Sequence, residues 1–136
     1  MTMPTLASAE DVAIAWLLSL TVVTSAASTR VGTKLSGNTW PQVRVTRTGG
    51  TVNEDPWYDN PRVQVEFWGS SPDETGITDD DIDQLARDVT AKVPYMRGSI
   101  GGGIITSSYT SLGPFPSPDP ATNRYRQLIE ITFEVE

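Results

Sequence analysis

The chain contains neither cysteine nor histidine. The first absence excludes a disulfide framework, a thiolate nucleophile and cysteine-ligated zinc. The second removes the commonest metal ligand and the commonest general base. Basic residues are scarce as well, ten Lys and Arg against 17 Asp and Glu, for a formal net charge of −7. Sequence-independent nucleic-acid binding is built on clustered cations, and these ten are scattered, so a phosphate-gripping surface is not expected. With 136 residues the chain suffices for one domain, 1–136, that buries roughly two-thirds of its unfolded surface around a single core.

Charge is locally absent from Val12 to Ser28. Ser8 is placed to cap a first helix, with Glu10 and Asp11 matching the positive end of its dipole. The body, Val12 to Leu20, is apolar nearly all the way round, the mark of a helix that lies under a sheet or meets another subunit as well. Ser25-Ala-Ala-Ser28 resembles a small-residue cleavage site, so a secreted or surface binding module is the rival reading of this stretch. Against it, the leading segment 1–7, expected to be flexible, carries no Lys or Arg. Against a membrane span, Thr21, Thr24, Ser25 and Ser28 interrupt the apolar run before the roughly 20 residues a bilayer requires.

What is present is alternation. In Pro41–Thr48, Val43 and Val45 oppose Arg44, Thr46 and Arg47. In Pro61–Trp68, Val63, Val65 and Phe67 oppose Gln64, Glu66 and Trp68. Both runs have the period-2 pattern of a sheet with one buried face. The connection 49–60 holds Gly-Gly, Asp-Pro and Asn-Pro reversal signals and is too long for a tight hairpin. Thr29–Leu35 reads as a strand before these two, ending at the turn cluster Ser36-Gly-Asn38. After a loop at 70–76, Thr78 caps a second helix with Asp79, Asp80 and Asp81 in its first turn and Ile77 set to staple on Ile82. Ile82, Leu85, Ala86, Val89 and Val93 form its single apolar stripe. Gly98–Gly103 leads into a strand at Ile104–Leu112, its glycines suggesting a bulge or close backbone approach. Residues 113–123 read as a proline-rich exposed loop. Tyr125–Glu136 is a last strand with Ile129, Ile131, Phe133 and Val135 inward and Glu130, Thr132, Glu134 and Glu136 outward. The expected fold is α+β, an antiparallel or mixed sheet of about five strands with two helices packed on it, in the order α-β-β-β-α-β-β.

No catalytic constellation is visible. Asp79–Asp83 lacks the glycine and the closing glutamate of a calcium loop, offering Gln84 and Thr90 there, and reads as a helix start. Asp55, Asp59 and Glu66 fit turn formation better than paired-carboxylate chemistry. Gly101–Gly103 lacks the Lys and Ser/Thr that end a phosphate loop. Arg44, Arg47 and Arg62 are close enough to hold an anion, yet pairing with local carboxylates is the simpler use. Trp57, Tyr58 and Trp68 fall off the inward face, as interface aromatics do, and with Trp16 and Phe115 are the candidate subunit or partner contacts.

Several stretches together carry a resemblance: the apolar first helix, Arg30–Leu35, Trp40–Gly50, Asp59–Gly69, the acidic helix, and the Gly-Pro/Asp-Pro loop before the last strand. This succession resembles the tail terminator proteins of long, non-contractile-tailed phages of actinobacteria, over nearly the whole chain. The resemblance implies a virion protein at the head–tail junction, assembled in the host cytoplasm. It would form a homohexameric ring that caps the tail tube, stops its polymerisation and offers a docking surface to the filled head. Implied partners are further copies of the chain, the major tail-tube protein and the head–tail connector. Duplex DNA would pass through without tight binding, and no membrane, enzymatic activity or cofactor is implied. Glu130, Thr132 and Glu134 are the candidate lumen-facing residues. A head-completion connector or a tail-tube subunit is the neighbouring alternative.

Overall fold

The computed structural model describes residues 7–52, 58–74 and 76–136. The chain folds as α1 (Ala9–Leu18), α2 (Thr21–Ala27), β1 (Val31–Gly32), β2 (Gln42–Val52), β3 (Asp59–Trp68), α3 (Asp79–Lys92), β4 (Gly98–Ile100), β5 (Gly103–Pro116) and β6 (Arg126–Val135), with a short 3-10 turn, Val93–Tyr95, after α3. The six strands form one sheet in the order β1-β2-β3-β6-β5-β4. Among the described residues only β1 runs parallel to its neighbour; the other pairings are antiparallel. The α+β class therefore stands, with a mixed sheet.

The alternation read in the sequence places the core. Val43 and Val45 sit opposite Phe67 and Val65, and Val65 and Val63 opposite Ile129 and Ile131. These side chains are buried, and with Phe133, Val135 and Ile105 they form the inner face of the sheet. Val12, Ala13, Trp16 and Leu17 of α1, Val23 and Ala27 of α2, and Ile82, Leu85, Ala86 and Val89 of α3 join the same core. The expected caps are made. Ser8 accepts from the Asp11 N–H, while Thr78 and Asp81 bond each other's backbone in a capping box.

The expected first helix breaks in two. Ser19 hydrogen-bonds back to the Trp16 carbonyl and Leu20 turns extended, with ψ 121°, so that α2 leaves α1 at 87°. Folding back covers part of a helix apolar on every side: α1 packs on the sheet and on α2, burying Ala9, Val12, Ala13, Trp16 and Leu17 and leaving Ile14, Ala15 and Leu18 half-buried. Among the described residues no single helix is long and apolar enough to cross a membrane. The strand expected over Thr29–Leu35 is reduced to Val31–Gly32.

Gly98–Gly103 is a hairpin. Ile100 pairs with Gly103, leaving Gly101 and Gly102, at φ 57° and 86°, as the two-residue turn that right-twisted strands prefer. Gly101 also lies against α1, where a Cβ would stand 2.8 Å from the Val12 Cα. The proline-rich segment is a loop only in its later part, since β5 continues to Pro116. Prolines are tolerated there because β4 covers only Gly103–Ile105, leaving the rest of β5 at the sheet edge. Of the expected lead-in, residues 1–6 lie outside the described residues.

Candidate assembly surface

Among the described residues the three α-helices pack on the inner face, and the opposite, outer face of the sheet carries no helix. Its rows follow from the register: Arg62 beside Thr132, Gln64 beside Glu130, Glu66 beside Leu128 and Trp68 beside Arg126, continued by Tyr109, Leu112 and Phe115 on β5. The surface has two parts.

One end is closed by an arginine–tryptophan network. Arg44 grips the fully buried Glu66 through two bonds of 2.7 and 3.0 Å, and Arg126 adds a third at 2.7 Å. The same two guanidinium groups sit 5.3 and 4.9 Å from the centre of the Trp68 ring. Trp68 packs against Trp40 with ring centres 6.5 Å apart and planes tilted by 33°; Trp40 carries Arg124 at 3.8 Å, and Arg124 pairs with Glu74. The guanidinium holds the Glu74 carboxyl below the usual carboxylate range. Cations over indole faces and two-pronged carboxylate pairs fix these side chains as a rigid plate. The sequence placed Trp68 off the inward face, which is correct, and as an outward contact. In the structure the arginines and Trp40 cover it to 5% exposure. Its indole Nε1, also buried, is without a hydrogen-bond partner among the described residues.

The other part is a shallow hollow of about 640 Å³ over β3, β6 and β5, with Arg62 on one wall, Tyr109 on the other and Glu130 and Thr132 at its floor. Thr48 and Ser111 donate to Glu130, and Thr106 donates to Glu134 at 2.8 Å. The β6 glutamates are half-buried, Glu130 oriented by hydroxyl donors on both sides and Glu134 by one. From the Tyr109 wall onward along β5 the apolar side chains are uncovered: Tyr109 is 58%, Leu112 50% and Phe115 36% exposed.

The remaining candidates scatter. Trp16 is a core residue, 4% exposed, with nothing to offer a partner in the folded chain. Tyr58 is half-buried at the start of β3, and Trp57 lies outside the described residues, as does Asp55. The three arginines do not share one face. Arg47 sits opposite Val63 on the inner side, not with Arg44 as the alternation suggested, and grips the buried Asp59 through bonds of 2.6 and 2.9 Å, which raises the Arg47 pKa. Arg44 is committed to Glu66. No group of three or more acidic residues able to hold a metal occurs among the described residues. The sequence reading missed Tyr109 and Leu112, and it missed Arg126 as the second partner of Glu66.

Comparison with protein-family models and with curated proteins finds no match. Comparison with solved structures does. A chain of the virion of a native gene transfer agent particle superposes with a TM-score of 0.62, over 90% of this chain and 91% of that one, at 12% identity. The likeness is one of fold. It spans both chains nearly end to end, so the α+β fold is shared over nine-tenths of each.

Proposed function

We propose that the protein is a structural component of a phage virion, and within it a tail terminator. In this role it forms a ring that caps the completed tail tube, stops further polymerisation and presents the surface on which the head docks. The observation that carries this reading is the fold likeness, over nine-tenths of both chains, to a component of a gene transfer agent virion. The narrower role rests on the resemblance of the strand-and-turn succession to that of tail terminators. A sheet with one face under helices and the other rigid, polar and apolar by turns suits a part whose work is contact.

Purified protein added to polymerising tail-tube subunits of the same phage is expected to halt growth at one end. It should appear as a terminal density in negative-stain images and shorten the length distribution, with little sensitivity to salt. An unchanged length distribution sinks the terminator role. Salt-dependent retention of duplex DNA without capping would move the protein to a connector that touches the genome.

A further inference from the structure

We infer that copies of this chain join edge to edge, the outer edge of β5 in one subunit adding as an antiparallel strand to the outer edge of β2 in the next. This deepens the ring reading above and rests on it. Four observations lead there. Both long strands at the sides of the sheet are only partly covered. β1 pairs with Val43 and Arg44 alone, and β4 pairs with Gly103 to Ile105 alone. Among the described residues, no strand pairs with the outer backbone edge of β2 from Val45 to Val52, where Arg47 donates to the Gly49 carbonyl, or of β5 from Thr106 to Leu112.

The two open windows also lie at the same height. Thr46 is level with Gln64, Gln64 with Glu130, and Glu130 with Leu112; at the other end Val52 is level with Asp59, Asp59 with Val135, and Val135 with Ile105. The short covering strands stand at opposite ends of the sheet, so each leaves open what the other side also leaves open. Direction agrees. β2 and β6 run one way and β3 and β5 the other, so a neighbour carried round an axis along the strands brings its β2 antiparallel to β5 with the helices on the same side. Repetition of that step is a heterologous contact, the kind that closes rings.

The composition of the edge is the fourth observation. Solitary edge strands are normally blunted with charged residues, because an unprotected edge is a template for another chain. From Gly98 to Pro118 this sequence has no charged residue of its own, the one neighbouring cation, Arg97, being held on Ser108, while Ile104, Tyr109, Leu112 and Phe115 stand exposed on it. Such an edge is built to be paired.

The absence of cysteine gives a clean background for a test. Thr46 and Leu112 are exposed, on one level and on the same face at opposite edges. The double variant Thr46→Cys/Leu112→Cys, mildly oxidised, should give a ladder of covalent multimers ending in a closed ring. An equimolar mixture of the two single variants should stop at mixed dimers. A second pair, Thr46→Cys with Tyr109→Cys, covers a slip to the next outward level. Leu112→Lys, which leaves the core untouched, should keep the thermal melt and lose the ring in native mass spectrometry, whereas Tyr95→Lys, outside the window, should keep both. Efficient dimerisation of Leu112→Cys alone would mean that β5 pairs with itself and overturns the proposal. Rings that neither pair of cysteines cross-links, or that survive Leu112→Lys, overturn it too. Cross-linked rings that fail to cap tail tubes would sink the terminator role and leave this contact standing; caps at tube ends that never cross-link would do the reverse.

Discussion

Glu66 is a fully buried carboxylate on a sheet face that carries no helix. A lone buried charge is costly, and this one is matched by three charge-assisted bonds from two arginines whose far sides still reach water. The half of this arrangement that lies in neighbouring strands could be read from the sequence, since Arg44 and Glu66 fall opposite one another once the two runs are paired. Arg126 could not, because only the β3–β6 register brings it there. A second residue-scale network is testable by pH. Tyr125 donates to the Asp83 carboxylate, and Gln127 donates to the same oxygen at 2.6 Å. Burial first, and then the carboxylate beside it, push the Tyr125 hydroxyl above its ordinary value of 10.0. A pKa that is higher folded than unfolded contributes stability that is complete below the unfolded value and is lost as pH rises through the folded one. Denaturant melts should therefore show stability falling above about pH 10. Tyr125→Phe should flatten that alkaline limb while costing about 1 kcal/mol at neutral pH for the lost bond. An alkaline limb unchanged in the variant would show that other groups set it.

At the scale of elements, the glycine-rich entry to β5 separates two kinds of glycine. Gly101 needs its missing Cβ twice over, for φ 57° and for the 2.8 Å approach to the α1 backbone, whereas Gly102, at φ 86°, faces open space. Gly101→Ala should thus cost about 1–3 kcal/mol, since both the conformation and the packing against α1 are lost. Gly102→Asn should cost less than half as much, because asparagine tolerates left-handed backbone. Equal losses in thermal melts would mean that the hairpin does not depend on its seat against α1. The sequence pointed to a close approach here but not to its object, which is fixed by tertiary packing. Helix α3 was legible to the residue at its start because capping is local chemistry, and the broken first helix was not, because an all-round apolar run has no periodicity to mark a bend. The short β1 has the same cause: a pairing of two residues leaves hardly any pattern.

The whole molecule exposes 7270 Å², close to the roughly 7,000 Å² expected of a compact monomer of its mass. Assembly is therefore not needed to finish the core, and a ring would join subunits that are already folded. That leaves the direction of the bare face to be decided. Lumen-facing is the role expected for Glu130, Thr132 and Glu134, all half-buried on the outer face of β6. A lumen lined with carboxylates lets DNA slide, because it releases no phosphate counterions. The variant Thr132→Lys/Glu134→Lys places two cations on that face of each subunit without touching the inner side. If the face lines the lumen, rings of the variant should retain duplex DNA that unaltered rings do not. The log–log dependence on salt should then be steep, about −0.9 for each phosphate neutralised, since every subunit bears on the same duplex. If the face points outward, a duplex can reach only the cations of one or two subunits, and the slope should be correspondingly shallow. Binding measured across a salt series on intact rings separates the two, and a shallow slope would remove these three residues from the lumen.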